Sequence, residues 1–171
     1  MAYPVLSFKS PHKSQSMVEF ALVIPILLLI IYGSLEVGRL IFIYSTVVTA
    51  SREAARYGSA TGLNVTGGIP RYKDCAGIRA AAQNVDFLGA IENANIVISY
   101  DRDATTDGIF NPTVVSSNCP PPSTVEIKNG DRITVRVSAN FSPIGPIGPL
   151  QPVPLTSISS RTILIGIIIK P

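Results

Sequence analysis

The longest apolar run in the chain lies near its N-terminus and predicts a membrane-spanning helix. Residues 20–35, FALVIPILLLIIYGSL, contain no charged side chain, and after Arg39 the run resumes as LIFIYSTVVTA. A spanning helix needs about 20 largely apolar residues at a rise of about 1.5 Å each. Residues 20–44 meet that length, so we expect a single anchor in a lipid bilayer.

The same helix is predicted to continue beyond the bilayer. Residues 45–57 are rich in alanine, and Arg52 and Arg56 have the spacing of one helix face. Gly58 is a candidate C-terminal cap. A helix over residues 14–57 would be about 65 Å long, against about 30 Å for a hydrocarbon core. Its outer part therefore either forms a stalk or lies against the domain that follows.

Downstream of this helix the pattern of apolar residues predicts a small domain. Asp74 is placed to cap a short helix over residues 75–88, whose apolar side chains recur at helical spacing. Alternation of apolar and polar residues predicts strands at 94–100 and 131–141. Residues 162–169 are too few to span a membrane as a helix and suit a buried third strand.

The remaining segments read as connections. Residues 101–112 and 114–123 resemble loops, and five prolines between residues 143 and 154 predict an extended connector. The predicted fold class is α+β: one long N-terminal transmembrane helix extends into a small extracytoplasmic domain with a short helix and an antiparallel sheet.

Flanking charge predicts the orientation. Three basic side chains precede the span with no acid before Glu19, so the N-terminus is expected in the cytoplasm. The apolar run is too long for the core of a secretory signal and is expected to stay as an anchor. The chain then divides into a cytoplasmic segment at 1–13, a transmembrane helix and stalk at 14–58, and an extracytoplasmic domain at 59–171.

Three charged residues lie in or beside the span. Glu36 and Arg39 share a helix face at i, i+3 spacing and can neutralise each other. They either mark the outer interface or face protein neighbours within the bilayer. Glu19 is either a solvated carboxylate in the first helical turn or a buried partner for a cation on a neighbouring subunit.

Small and kinking residues in the span provide further candidate packing positions. Pro25 is expected to produce a modest kink, which neighbouring helices can accommodate. Gly33 and Gly38 offer surface on which another helix could approach closely. These positions join Glu19, Glu36 and Arg39 as the predicted assembly residues.

The two cysteines, Cys75 and Cys119, belong to no CxxC pair. In an oxidising compartment they predict one disulfide; the alternative is two free buried thiols. A zinc site is not expected, because these cysteines and His12, the single histidine, lie in unrelated segments.

Other chemistry is sparse. Residues 103–108 resemble the first half of a calcium loop, but position 12 of that loop is Val114 instead of a bidentate Glu. We find no phosphate loop, nucleophile elbow or metalloprotease motif, and predict no catalysis, cofactor or metal. The net charge of +3 is dispersed, so no nucleic-acid partner is expected.

Residues 14–62 closely resemble the N-terminal region of TadE-like proteins. The resemblance rests on VEFALV at 18–23, Pro25, the Glu36-x-Gly38-Arg39 step, and REAARYG at 52–58. It implies a pilin-like component of tight-adherence pili in the bacterial cytoplasmic membrane.

In that family the helices pack side by side, an early glutamate helps subunits to register, and a prepilin peptidase usually cleaves the chain. Glu19 matches this glutamate at the fifth position if the cut falls between Ser14 and Gln15. The family usually has glycine before the cut, where this chain has Ser14.

Two functional hypotheses follow. The first is a component of pilus assembly or surface adhesion. The second is an accessory subunit of a large respiratory or photosynthetic membrane complex, anchored by an uncleaved pilin-like helix. In both, the partners are the lipid bilayer and other transmembrane helices.

Overall fold

The computed structural model describes residues 12–64, 67–103, 112–144 and 151–165. Its helices are α1 (His12–Ser59) and α2 (Cys75–Gln83), and its strands are β1 (Ile96–Asp103), β2 (Pro112–Ser116), β3 (Arg132–Phe141) and β4 (Val153–Thr162). All strand pairs are antiparallel, in the order β2-β1-β3-β4. The predicted α+β fold class is confirmed.

The chain divides into two compact units, Met1–Arg39 and Leu40–Pro171. Helix α1 contributes to both, because it continues without a break from one into the other. The second unit contains α2, the whole sheet and the last twenty helical residues of α1.

Alternation along β3 gives the sheet one buried face. Ile133, Val135 and Val137 are fully buried, whereas Arg136 between them is exposed. Successive side chains of a strand point to opposite faces, so a sheet covered on one side shows this period. The predicted inward set of β3 is confirmed.

The buried face of the sheet packs against the second half of α1. Five side chains of this half belong to the core, namely Ile43, Val47, Ala50, Ala54 and Ala55. The Oγ atoms of Ser51 in α1 and Ser157 in β4 are 3.0 Å apart and share a hydrogen bond. Of the two arrangements predicted for the outer part of the helix, the structure has the one in which it lies against the domain.

Gly58 does not cap α1, contrary to prediction. The helix continues to Ser59, and Gly58 is a helical residue without a positive φ angle. A Cβ atom at this position would meet the Cδ1 atoms of Ile133 and Ile78. Gly58 is therefore a contact position, where α1 approaches both the sheet and α2.

Asp74 caps α2 as predicted and also ties it to α1. Its Oδ1 accepts a hydrogen bond from the backbone N–H of Gly77 at 3.0 Å, and its Oδ2 accepts one from the Tyr57 hydroxyl at 2.7 Å. Burial acts to raise the pKa of Asp74, but these hydrogen bonds outweigh it and lower the pKa. The hydrogen bond between Tyr57 and Asp74 raises the pKa of Tyr57.

A disulfide joins Cys75 at the start of α2 to Cys119 beyond β2. Beside it, the Tyr100 hydroxyl donates a hydrogen bond to the carbonyl oxygen of Tyr72 and lies 3.3 Å from the Cys119 sulfur. Burial raises the pKa of Tyr100. The disulfide thus joins α2 to the segment after β2, and Tyr100 joins β1 to the turn before α2.

Two predicted elements have different bounds. Helix α2 ends at Gln83 instead of residue 88, and the Asp86 carboxylate accepts a hydrogen bond from the Ile91 N–H at 2.6 Å in the turn that follows. The prediction of a loop at 114–123 is wrong over β2, which pairs with the end of β1. Of the predicted loop at 101–112, the first three residues belong to β1, and 104–111 lie outside the described residues, as does most of the calcium-like segment.

The last strand also differs from prediction. It is β4, at Val153–Thr162, whereas residues 163–165 form no strand and 166–169 lie outside the described residues. Pro154, predicted to belong to the extended connector, lies inside β4. An edge strand tolerates proline because one side of its backbone needs no partner strand. Pro146 and Pro149 of the connector are outside the described residues.

Replacing Gly58 with valine is expected to destabilise the domain by about 2 kcal/mol, the usual cost of overpacking. The added side chain would overlap two fully buried isoleucines. Denaturant unfolding of the full chain in detergent, followed by circular dichroism, measures this. Gly38→Val is the matched control, since a Cβ atom there meets nothing within 4 Å. Equal unfolding midpoints for the two variants would contradict the proposed close contact.

Removing the disulfide, by Cys75→Ser together with Cys119→Ser, is expected to lower the free energy of unfolding. The cysteines are 44 positions apart, and closing a loop of that length stabilises a fold by about 4 kcal/mol in the chain-entropy model. The same denaturant experiment, with and without reductant, measures the loss. Peptide mapping of the native protein that finds both thiols free would refute the crosslink.

Candidate assembly surface of the N-terminal helix

The first unit exposes large apolar side chains on every side of α1. Between Met17 and Leu35 nearly all of them are at least half exposed. No charged residue lies between Glu19 and Glu36. A helix that is apolar all round is stable when lipid or other helices surround it, and such a surface is unfavourable in water.

Helix α1 is long and apolar enough to cross a membrane, and it is the one such helix in the described part of the chain. None of its most apolar 18-residue window is buried within the structure. In a core helix of a water-soluble protein that window would be covered. The structure is that of a membrane-anchored protein with one span among its described residues.

A polar cluster marks one end of the apolar surface. An Nη atom of Arg39 lies 3.1 Å from a carboxylate oxygen of Glu36, and the Tyr32 hydroxyl donates to the other oxygen at 3.2 Å. The Glu36 side chain is 15% exposed and that of Arg39 is 30% exposed. The cluster is neutral overall, which lowers the cost of placing both charges beside lipid.

Tyr32 was missed by sequence reasoning, although its i, i+4 spacing to Glu36 could have identified it. On an ideal helix, Pro25, Tyr32, Glu36 and Arg39 lie within about 60° of one another. The structure thus gives α1 one face with a proline and a hydrogen-bonded polar group.

The other predicted assembly residues are not part of this cluster. Glu19 is exposed and lies 17 residues earlier, about 25 Å away along the helix axis. Gly33 and Gly38 lie on different faces of α1, and a Cβ atom at either would have open space around it. Ser14 and Gln15 fall in the first turns of α1.

The described residues include no group of three metal-ligating side chains. The polar groups of the domain are instead used in structural contacts, such as the Arg102–Asp131 ion pair at 2.7 Å and the Glu53–Arg56 pair at 2.6 Å. The extended apolar surface of α1 is therefore the candidate functional site.

Comparison with known proteins gives one finding. The family model described as TadE-like protein matches residues 15–56, about a quarter of the chain. No curated protein and no solved structure matches this chain. The matched residues begin in the first turn of α1 and end three residues before the helix does. This match confirms, over most of α1, the resemblance to TadE-like proteins that was predicted from the sequence.

Proposed function

We propose that this chain is a non-enzymatic component of pilus assembly, held in the bacterial cytoplasmic membrane by α1. The observation that carries the proposal is the TadE-like match over a helix with an exposed apolar surface. Beyond residue 39 the same helix builds the core of a folded domain. A pilin-like subunit needs both features, because it must partition into the bilayer and present a domain outside it.

The position of the domain core supports a boundary for the span. Leu40 packs against the core and Ile43 is buried in it, so the hydrocarbon layer ends before these residues. Residues 20–39 then form a span of about 30 Å, which equals the thickness of a hydrocarbon core. Glu36 and Arg39 come to the outer boundary of this layer, with Glu19 at the inner one.

The disulfide supports an extracytoplasmic domain. Disulfides persist in oxidising compartments and are rare in the cytoplasm, so Cys75 and Cys119 favour an outer location for the sheet. The basic residues before the span favour the same orientation through the positive-inside rule. We accordingly keep the division into a cytoplasmic segment at 1–13, a helix at 14–58 and an outer domain at 59–171, whose core α1 completes.

In the proposed assembly, α1 helices pack against one another or against helices of partner subunits. The apolar surface supplies the contact area between helices. Gly33 and Gly38 let another helix approach closely, and Pro25 provides a kink that a neighbouring helix can accommodate. Glu19 lies on the exposed surface of the helix and pairs with a cation of a neighbouring subunit. Such a contact fixes the axial register of two helices that otherwise present only apolar groups.

Purification of the tagged native protein in mild detergent, with mass spectrometry of the chains that accompany it, tests this function. Recovery of pilins and a secretion ATPase is the expected result. Recovery of the subunits of a respiratory or photosynthetic complex would replace it with the accessory-subunit function. N-terminal sequencing of the same sample determines whether the chain is cut between Ser14 and Gln15.

Glu19→Gln is expected to reduce recovery of the partner subunits severalfold, because it removes the charge of the proposed intersubunit pair. Quantitative mass spectrometry of the purified assemblies measures this. Glu53→Gln is the matched control, because it makes the same change in the same helix but lies outside the proposed span of residues 20–39. Undiminished recovery with Glu19→Gln would rule out the registering role.

A further inference from the structure

We propose that the end of the domain at which α1 enters it rests in the headgroup layer of the bilayer. The contact is made by exposed apolar side chains of α1 and by those at the adjoining end of the β3–β4 pair. This inference rests on α1 as a membrane anchor and is independent of the role in pilus assembly.

Two contacts establish which end of the sheet adjoins the start of the domain. Gly58 in α1 lies against Ile133 of β3. Ser51 bonds to Ser157, which is paired with Val137 of β3. In the direction of the bilayer, α1 advances by seven residues, or about 10 Å, from Gly58 to Ser51. Over the same interval β3 advances by four residues, or about 13 Å, from Ile133 to Val137.

The same relation continues to the end of the strands. Phe141 lies four residues beyond Val137, and Ile43 lies eight residues before Ser51, so the two fall at the same level. Both are buried in the core. Val153 is paired with Phe141, which places the start of β4 at the level of Ile43 as well.

Apolar side chains around this level are exposed. Val153 is 47% exposed and Ile144, three residues beyond β3, is 76% exposed. On α1, Phe42 and Tyr44 flank the buried Ile43 and are each about half exposed. Tyrosine, which joins an apolar ring to a polar hydroxyl, is enriched at membrane–water interfaces, and Phe42 adds apolar area beside it.

The distance along α1 brings these residues to the bilayer surface. Tyr44 is five residues beyond Arg39, at most about 7.5 Å from the proposed edge of the hydrocarbon layer. The headgroup layer extends about 5–8 Å on each side. Side chains at the level of Ile43 consequently fall within it or at its outer limit.

The segments of α1, β3 and β4 at this end of the domain are also devoid of charge. None of residues 40–51, 137–144 and 151–160 is charged, whereas about one residue in four is charged in soluble domains. The ion pair between Arg102 and Asp131 lies at the other end of the strands, where Asp101 and Arg132 pair. A surface without charges loses little hydration free energy when it leaves water. Its contact with lipid is also expected not to depend on anionic headgroups.

Single tryptophans test the proposal, because the chain contains none of its own. Ile144→Trp and Val153→Trp are made separately in the full chain, which is reconstituted into phosphatidylcholine vesicles with and without brominated acyl chains. Ile158→Trp is the matched control: it lies in the same strand as Val153, is 53% exposed, and is about 16 Å farther from the bilayer.

The expected result is severalfold stronger quenching by brominated lipid, with blue-shifted emission, at positions 144 and 153 than at 158. The difference should persist at high salt, since the contact is apolar. Circular dichroism confirms that each variant is folded. Equal quenching at all three positions in folded protein overturns the proposal. Because the vesicles contain no other protein, this outcome would leave the pilus function untouched.

Discussion

The packing of the second half of α1 against the sheet is the contact on which the rest of the structure depends. Alanines at 50, 54 and 55 and the absence of a side chain at Gly58 let the helix approach β3 and α2 closely. Without this helix the buried face of the sheet would be exposed to water. Exposing apolar surface costs roughly 25 cal/mol of free energy for each Å². The domain is therefore completed by its own membrane anchor.

One continuous helix thus meets two different environments, and its sequence changes where the environment does. Between residues 20 and 35 it exposes apolar side chains on every face, as lipid or neighbouring helices require. After residue 40 only the face toward the sheet is buried, and small residues replace leucine there. The Tyr32, Glu36 and Arg39 cluster lies at the transition, where its charges neutralise each other.

Sequence reasoning succeeded where a single local rule decides the structure. The apolar run predicted α1, strict alternation predicted β3, and the side chain of Asp74 capped α2 at the expected residue. It failed where pairing with another strand decides the structure. Strand β4 is rich in serine and contains Pro154, so it lacks the alternating apolar pattern, yet it pairs with β3 along its whole length. Strand β2 is similarly held by β1 and was predicted as a loop.

By itself, the sequence determined the anchor, the α+β class and the TadE-like character of the helix, because each depends on residues that are close together in the chain. The tertiary structure alone decided that α1 completes the core, that Gly58 is a contact position instead of a helix cap, and that the charge-free ends of β3 and β4 adjoin the start of the domain. These features join residues up to about a hundred positions apart. Their energies come from burial and pairing between elements, which no local pattern records.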